Sequence, residues 1–464
     1  MAEKRSRTPV LFIAALIVLL FIGIAVFYTG APPQIKIEPA MTAIGAKTPV
    51  TVEITEHRRG LTYARVELVQ ESNTAVLDEK TYEPAWQIPF LGSKTEKDTL
   101  FVVAGIQTLP ELKGGSAAIR VTAGRAGTWL RRPSDVVQEL TLPVRLTPPS
   151  IQVTSTQTYV SQGGSEAVTY RVGESAARDG VRAGEYWFPG YPLPGGGPRD
   201  RFALFAVPYD MSTLDVRVVA EDSAGNIAEA GFIDNFTRRR LRADTIQVSD
   251  SFLNKVVPPI LSQTPEIREQ GTLLESYLMI NRELRKVNNE TIRALTEKTQ
   301  TSFLWKMPFH MMPNTKVMAS FAERRTYLYQ GREIDQQDHL GLDLAQVKQA
   351  PIPAANDGVV VLARFLGIYG NAVVIDHGYG LMTIYGHLSS IAVTEGQNVA
   401  REEIIGRTGE TGLAGGDHLH YCTLLAGIPV NPLEWSDGNW IKNRITGKLG
   451  AAFSYIAPTS IQEQ

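Results

Sequence analysis

Apolar and polar residues alternate along the first part of the chain. From Gln34 to Leu146 the alternation recurs in short stretches separated by turn-rich breaks. A period of two places successive side chains on opposite faces of an extended chain, so each stretch predicts a half-buried antiparallel strand. The stretches are Ile35/Ile37, Val50/Val52/Ile54, Ala64/Val66/Leu68, Ala117/Ile119/Val121 and Leu140/Leu142/Val144/Leu146. We therefore predict a β-rich domain over residues 34–147.

The same alternation resumes after Pro148-Pro149. The segment Val218–Asn226 runs as a strand into a Gly-Asn turn and resembles the end of bacterial immunoglobulin-like repeats. About 95 residues are enough for a small β-sandwich. We therefore predict an immunoglobulin-like β domain over residues 150–245. Its strand-like stretches are Ile151/Val153, Val168/Tyr170/Val172 and Leu214/Val216/Val218.

The hydrophobic period changes between Thr264 and Thr299. Apolar residues there recur at steps of three and four, with charged residues between them, which predicts one or two amphipathic helices. Pro265 fits a helix start and Gly271 an interruption, within a helical linker over residues 260–300. Such a segment packs on a neighbouring domain, or it serves as a spacer, a regulatory arm over a site or a partner-binding helix. The apolar positions are Leu273, Leu274, Tyr277, Leu278, Leu284, Val287, Ile292 and Leu295.

An uninterrupted apolar run near the N-terminus predicts a membrane-spanning helix. Val10 to Tyr28 carries no charge and follows the basic residues Lys4, Arg5 and Arg7. About 20 residues at a rise of about 1.5 Å cover a hydrocarbon core of about 30 Å. The basic flank favours a cytoplasmic N-terminus.

A cleaved signal peptide is the alternative for this run. Pro32-Pro33 directly follows the small residues Thr29-Gly30-Ala31 and would obstruct cleavage there. We therefore expect a cytoplasmic segment over 1–9 and an uncleaved anchor over 10–30. A single pass would leave the rest of the chain outside the inner face of the membrane.

The composition and charge of the chain argue against nucleic-acid-binding proteins and against disulfide-stabilised domains. The chain has 464 residues, with 46 basic and 48 acidic side chains and a net charge of −2. This balance gives no basic face for nucleic acid, so we expect no nucleic-acid partner. Cys422 is the one cysteine, which excludes an intramolecular disulfide, so the domains must be stabilised by their cores.

Histidines cluster near the C-terminus. Five of the seven histidines fall within about 80 residues. His418 and His420 lie in a β-like stretch, where residues two apart point to the same face, so their imidazoles can converge on one site. The five are His339, His377, His387, His418 and His420.

His339 and Asp343 form a second pair with a different spacing. Four residues apart on a straight strand, they would be separated by roughly 13 Å. Side chains that bind one zinc ion must each reach to about 2.0–2.2 Å from it. The chain must therefore bend between them, and Gly341 permits the bend.

These pairs together match the ligand number of a catalytic zinc site. His339, Asp343 and one histidine of the His418/His420 pair would supply three ligands and leave a fourth position open. The zinc-activated water would attack a polarised carbonyl, and the other histidine of the pair would act as general base and acid. His387 is a further candidate that contacts the ligands or the transition state. We expect one Zn²⁺ per chain.

Ordered motifs over about 130 residues, from roughly Pro313 to Trp440, resemble the LytM/lysostaphin-like zinc metallopeptidases. The set is specific because the motifs follow the family order. They are Phe321-Ala322-Glu323-Arg324-Arg325, His339-Leu340-Gly341-Leu342-Asp343-Leu344-Ala345, Ala350–Val360, Gly370–Gly378, Tyr385-Gly386-His387-Leu388-Ser389, Gly409-Glu410-Thr411-Gly412, Asp417-His418-Leu419-His420-Tyr421 and Val430-Asn431-Pro432.

The resemblance implies a site, a fold and an activity. It places the metal ligands at His339, Asp343 and His420 and the catalytic histidines at His418 and His387. It implies a compact antiparallel β metallopeptidase domain over residues 305–440, with a groove floored by the sheet. The implied activity is endopeptidase cleavage of the peptide cross-links of bacterial peptidoglycan.

Several residues near these motifs stay outside the assignment. Ala322 stands where the family usually has glycine, and Arg401-Glu402 stand where Lys-Gly is common. Cys422 shares the strand face of His420 and is expected to be a buried thiol, with approach to the metal as the alternative. His377 is expected to be structural. The tyrosine that the family places in its groove is not identified among Tyr327, Tyr329, Tyr379 and Tyr385.

The whole chain is therefore expected to be mainly β. An N-terminal transmembrane helix, two β-sandwich-like units and a helical segment would precede the metallopeptidase domain, and residues 441–464 would form a tail. We expect a membrane-anchored zinc metalloendopeptidase on the bacterial cytoplasmic membrane, facing the periplasm or cell exterior. Peptidoglycan stem peptides would be its substrate, and cell-wall or divisome proteins its further partners. The alternative is a non-catalytic regulator that activates other cell-wall hydrolases.

Overall fold

The computed structural model describes residues 8–27, 31–83, 94–128, 130–450, 453 and 456. The described part of the chain is mainly β and its sheets are largely antiparallel, which confirms the predicted fold class at that level. The chain divides into two units. The first comprises Met1–Pro149, Ser175–Ala177 and Ala220–Ala228, and the second comprises Ser150–Glu174, Arg178–Val219 and Glu229–Gln464.

The first unit is a β-sandwich-like domain with one N-terminal helix. A three-stranded sheet has the order β1-β2-β5 and a four-stranded sheet has the order β4-β3-β6-β7. Alternate residues of both sheets join one apolar core, as the sequence pattern predicts. The elements are α1 (Thr8–Phe27), β1 (Gln34–Pro39), β2 (Thr48–Thr55), β3 (Leu61–Gln70), β4 (Asn73–Thr81), β5 (Lys97–Ala104), β6 (Gly115–Arg125) and β7 (Val136–Val144).

The predicted membrane anchor over 10–30 coincides in part with helix α1. Helix α1 spans Thr8–Phe27, and its side chains are described over residues 12–23. Within the described residues, no helix has the length and apolarity needed to cross a membrane. The predicted transmembrane helix therefore has no support from the structure, and residues 28–30 of the predicted span lie outside the described part.

The second unit begins with short β-strands. A four-stranded sheet has the order β13-β14-β10-β8, β11 pairs with β12, and β17 pairs in parallel with β9. The strands, of which β11, β15 and β16 belong in part to the first unit, are β8 (Ile151–Val153), β9 (Tyr159–Ser161), β10 (Ser165–Val172), β11 (Ala176–Ala183), β12 (Tyr186–Pro189), β13 (Tyr191–Pro192), β14 (Asp200–Ala206), β15 (Val216–Asp222), β16 (Ile227–Ala230), β17 (Asn235–Thr237) and β18 (Ala243–Val248).

Helices follow β18, but their limits differ from those predicted. Helix α2 (Asp250–Gln263) begins before the predicted segment, and residues 264–272, including Pro265, are not helical. Helices α3 (Leu273–Met279) and α4 (Arg285–Leu295) are joined by a π-helical turn, Ile280–Leu284.

Capping groups explain where these helices begin. The Ser249 side chain accepts a hydrogen bond from the Phe252 N–H and starts α2. Thr272 Oγ1 accepts from the Glu275 N–H at 3.1 Å and donates to Glu275 Oε2 at 2.9 Å. This pair resembles a capping box, a stronger start signal than a proline alone.

The helices pack on the C-terminal part of the second unit. Apolar residues of α2, of α3 and of the π-helical turn share a core cluster with Tyr327 and Ile368. Asn288 of α4 is buried, and its Oδ1 accepts from the Ile368 N–H at 2.9 Å. The amphipathic segment thus packs on the C-terminal part of the same unit, as in the first of the alternatives stated for it.

The C-terminal part is built on an eight-stranded sheet in the order β19-β22-β30-β26-β25-β24-β28, with β31 paired to β30. This part also contains two three-stranded sheets, with the orders β18-β20-β21 and β23-β29-β27. The elements are β19 (Lys316–Ala319), β20 (Glu323–Tyr329), β21 (Arg332–His339), β22 (Leu342–Ala345), β23 (Pro351–Pro353), β24 (Gly358–Phe365), β25 (Asn371–Asp376), β26 (Leu381–Leu388), β27 (Ser390–Ile391), β28 (Asn398–Val399), β29 (Ile404–Arg407), β30 (Leu419–Leu425), β31 (Ile428–Val430), α5 (Pro432–Ser436), α6 (Gly438–Ile441) and α7 (Gly447–Leu449).

The central strands β26 and β30 carry the site. Every residue of both strands is buried, as expected for strands covered on both faces. The two pair antiparallel from Leu381↔Leu425 to Gly386↔His420. Because β26 ends just after His387 and β30 begins just after His418, the histidines gather at one end of the sheet.

Candidate active site

The chain bends between His339 and Asp343, as the spacing predicts. His339 is the last residue of β21 and pairs with Glu323 of β20. Asp343 belongs to β22 in the large sheet and pairs with His420 of β30. Leu340 and Gly341 connect the two sheets, so the bend brings together side chains that a straight strand would hold apart.

Three side chains at this bend form a cluster suited to a metal ion. His339 Nε2 lies 2.9 Å from Asp343 Oδ1 and 3.1 Å from His420 Nδ1. His420 Nδ1 lies 3.0 Å from Asp343 Oδ1. All three residues are buried, and among the described residues they form a group able to hold a metal ion.

Neighbouring groups fix the orientation of two of these side chains. His339 Nδ1 donates to the Ser320 carbonyl at 3.1 Å, which leaves the Nε2 lone pair facing the cluster. Asp343 Oδ2 accepts from Arg325 Nη2 at 2.9 Å. Burial alone would raise the pKa of Asp343, but His339, His418 and His420 outweigh burial and hold that pKa well below its usual range. The carboxylate is therefore ionised and pre-oriented.

His418 and His387 lie beside this cluster. His418 Nε2 is 3.5 Å from Asp343 Oδ1, and its Nδ1 donates to the Gly416 carbonyl at 2.8 Å. His387 Nδ1 donates to the Thr411 carbonyl at 2.8 Å. The two rings have centroids 4.9 Å apart. In each ring the backbone hydrogen bond occupies Nδ1, so Nε2 is the atom available for proton transfer.

The environments of the two histidines differ. Burial opposes the charge of His418, but Asp343 outweighs burial and raises the pKa of His418. Burial, together with the charges of His418 and His420, holds the pKa of His387 well below its usual range. The surroundings of His418 thus favour its protonated form more than those of His387 do.

The backbone at His387 is unusual. Its φ is 66°, a left-handed conformation that costs a non-glycine residue about 1–3 kcal/mol and is found disproportionately at functional sites. The preceding Gly386 pairs with His420. This conformation places the His387 ring next to the His418 and His420 rings.

Gly341 is needed for space as well as for the bend. A Cβ at this position would lie 2.7 Å from His420 Cε1 and 2.7 Å from the Tyr421 carbonyl oxygen. We expect Gly341→Ala to displace His420 and to lower the affinity of the cluster for a metal ion such as zinc by about 10-fold or more, the size of effect seen when a ligand loses its support. Competition with a chelator would measure the affinity.

Gly114→Ala is the matched control for this prediction. A Cβ at Gly114 meets no atom within 4 Å, so this variant should bind zinc as the wild type does. Equal zinc affinity of Gly341→Ala and the wild type would contradict the prediction.

The cluster opens into a cavity of about 340 Å³. The metal-binding cluster, His418 and His387 line it. Residues of the helical segment also line it, together with Arg325, Tyr327 and Tyr369. Its volume is in the range of small-ligand sites, which run from about 300 to 1,000 Å³.

His377 and Cys422 lie outside the cluster. His377 Nδ1 donates to the Asp357 carbonyl at 2.7 Å and Nε2 lies 2.8 Å from Thr383 Oγ1, so both ring nitrogens are used, in agreement with a structural role. Burial lowers the pKa of His377 to about 4. Cys422 Sγ donates to the Leu340 carbonyl at 2.9 Å, and burial raises the pKa of this thiol. The thiol therefore supports the bend.

The structure separates the four unassigned tyrosines. Tyr327 lines the cavity, whereas the buried Tyr385 uses its hydroxyl to accept from the Ala355 N–H at 2.7 Å. Tyr329 donates to Asp250, and Tyr379 packs on the ring of Tyr191 at 4.7 Å.

Sequence reasoning missed three contributors to the cavity. Tyr369 lines it and lies 5.6 Å from His420, ring to ring. Arg325 belongs to one of the family motifs, but no role was predicted for it; its guanidinium donates a hydrogen bond to Asp343. Arg285 is a polar position of helix α4 and also lines the cavity.

Comparisons with known proteins agree with this geometry. Residues 337–432 match the model of peptidase family M23, and the match contains all five predicted site residues. The chain is 31% identical over 205 residues to the peptidoglycan DD-endopeptidase ShyA of Vibrio cholerae, covering 43% of this chain and 44% of that protein. It is 45% identical over 96 residues to the DD-carboxypeptidase/endopeptidase Mpg of Neisseria meningitidis, covering 21% and 22%.

These matches cover less than half of the length of either relative. Among solved structures, the catalytic domain of lysostaphin from Staphylococcus simulans aligns at 25% identity with a TM-score of 0.22, covering 26% of this chain and 90% of that domain. The predicted resemblance to this class of peptidase is confirmed by the family match.

Proposed function

We propose that this chain is a zinc metalloendopeptidase that hydrolyses peptide cross-links of bacterial peptidoglycan, since residues 337–432 match the model of peptidase family M23. The relative ShyA, which is named a peptidoglycan DD-endopeptidase, supports the substrate class. The observation that carries the proposal is the buried cluster of His339, Asp343 and His420 at the floor of an open cavity, with His418 and His387 beside it.

The donor atoms of the cluster fit a zinc ion. In a tetrahedral site with ligands at about 2.1 Å, neighbouring ligand atoms are about 3.4 Å apart. The three donor atoms here are 2.9 to 3.1 Å apart, and two nitrogens with one carboxylate are ligands that zinc accepts. When bound, zinc polarises a substrate carbonyl and lowers the pKa of a water molecule.

The chain's own residues perform the remaining steps. Arg325 and Ser320 hold Asp343 and His339 in position before substrate arrives. His418 Nε2 takes the proton of the attacking water and returns it to the leaving amine. His387 Nδ1 donates to the Thr411 carbonyl, so its neutral ring offers the Nε2 lone pair, which can accept a hydrogen bond from the attacking water and orient it.

Digestion of purified cross-linked peptidoglycan by the full chain tests the proposal. The zinc-loaded protein should release products with new peptide ends, resolved by mass, and the zinc-loaded His418→Ala protein should not. Intact cross-links in the presence of bound zinc would contradict the peptidase proposal. That result would favour the regulator of other wall hydrolases, which the complete set of ligand residues argues against.

We extend the proposal to location. Residues 10–30 would anchor the chain in the cytoplasmic membrane, with the peptidase on the outer side. The uncharged apolar run from Val10 to Tyr28, which follows the basic residues Lys4, Arg5 and Arg7, motivates this proposal. Retention of the protein in membranes washed with alkaline carbonate would be expected, and its quantitative release would contradict the anchor.

A further inference from the structure

One face of the helical segment lines the cavity. Tyr277, Asn281, Arg285 and Asn289 follow one another at intervals of four residues, and all four line the cavity that holds the metal-binding cluster. Residues four apart on a helix lie on the same side. These residues precede the segment matched by the family model, which begins at residue 337. The cavity wall is therefore partly built by a segment to which no role has been assigned.

Hydrogen bonds hold Arg285 in a defined position. Its Nε donates to the Asn281 carbonyl at 3.0 Å and its Nη2 to Asn281 Oδ1 at 2.6 Å. Asn281 is fully buried, and its Nδ2 donates to Asp335 Oδ2 at 2.8 Å. This relay leaves Nη1 without an acceptor in the described part of the chain. Asn281 is thus a positioning residue for the guanidinium.

A π-helical turn lies at the same point. Ile280–Leu284 separates α3 from α4 and contains Asn281. Such turns are rare, and they occur often at functional sites because they change the direction of side chains.

The charge of Arg285 has no counterpart in the cavity. Arg325 is paired with Asp343 at 2.9 Å, and Asp338 is paired with Arg324 at 3.1 Å. Among the described residues, no carboxylate lies within ion-pair distance of Arg285, which is half-buried. A half-buried guanidinium that keeps free donors is a strong binder of carboxylates.

We propose that Arg285, positioned by Asn281 and flanked by Asn289, binds a free carboxylate of the peptide substrate. The identity of that substrate rests on the proposed function. Asn289 accepts from the Tyr369 hydroxyl at 3.3 Å, which leaves its amide N–H groups for the peptide. The helix therefore contributes to substrate selection in addition to packing. The carboxylate is either the C-terminus of a peptide or an acidic side chain within it.

Binding of defined peptides tests this subsite independently of cleavage. The probe is a synthetic peptide with one acidic side chain and a D-alanyl-D-alanine C-terminus. It is made in four forms: unmodified, amidated at the side chain, amidated at the C-terminus, and amidated at both. Calorimetry with the zinc-loaded full-length His418→Ala protein measures each dissociation constant. We expect amidation of one carboxylate to weaken binding about 10-fold, as for loss of a charge-assisted contact, and the form affected identifies which carboxylate is bound.

Arg285→Gln in the same protein should remove this preference, so that all four forms bind with similar dissociation constants. Arg285→Lys keeps the positive charge and should retain part of the preference. This variant shows whether a loss of preference in Arg285→Gln comes from the lost charge or from misfolding. Lys286→Gln is the matched control: it removes one positive charge from the next residue, which is exposed and paired with Glu283. It should leave the preference intact.

Three results would overturn the subsite: equal binding of the four forms, no binding of any form, or a preference that survives in Arg285→Gln. Failure of the proposed function is a different result. A protein that prefers the carboxylate form and binds zinc, yet leaves peptidoglycan uncut, would contradict the peptidase proposal and leave the subsite standing.

Discussion

Replacing His420 with alanine is expected to abolish tight zinc binding and peptidoglycan cleavage together. His420 Nδ1 is within 3.1 Å of both other donor atoms of the cluster, so its loss leaves two ligands, fewer than zinc sites in proteins use. The zinc content of protein dialysed against a weak chelator, measured by atomic spectroscopy, would check the first effect. Release of soluble peptidoglycan fragments would check the second.

Asp343→Asn provides the second arm of this test. The amide keeps the shape of the side chain but loses the charge that Arg325, His339 and His418 face. Zinc affinity should fall, and the Arg325 guanidinium would lose its partner. Retention of stoichiometric zinc by the His420→Ala protein would contradict the ligand assignment.

The second large effect is expected at His418. The His418→Ala protein should keep most of its zinc but lose activity by about 10²–10⁴-fold, the usual contribution of a general acid–base group. Its Nε2 is 3.5 Å from Asp343 Oδ1 and outside the group of three donor atoms. Zinc content and the rate of cleavage, measured on one preparation, would separate binding from proton transfer.

His377→Ala is a useful comparison for the His418 variant. His377 is a buried histidine outside the cavity lining, so its loss should lower stability because the Asp357 carbonyl loses its donor and the missing ring leaves a cavity. The activity of the His377→Ala protein should fall only in proportion to the fraction of the protein that is folded. If His418→Ala lost its zinc while His420→Ala retained it, the roles of the two histidines would be exchanged.

The helical segment shows which structural features the local pattern of residues does not predict. The spacing of its apolar residues indicates a helix and a buried face, and α3 and α4 follow that pattern. The polar stripe of Asn281 and Arg285 has the same four-residue spacing, but sequence alone does not say what it faces. That depends on the packing of Tyr277 and Ile280 with Tyr327 and Ile368, which are distant along the chain.

The amino-acid sequence by itself determined the β-rich character, the five candidate site residues, the need for a bend at Gly341 and the resemblance to a peptidase family. These properties depend on residue types and on short spacings, because the local backbone geometry fixes which side chains point to the same face. The tertiary structure alone decided that β21 and β22 belong to different sheets, that Arg325 holds Asp343, and that a helix wall supplies Arg285 to the cavity. These are contacts between distant segments, and they arise from the burial of whole faces during folding.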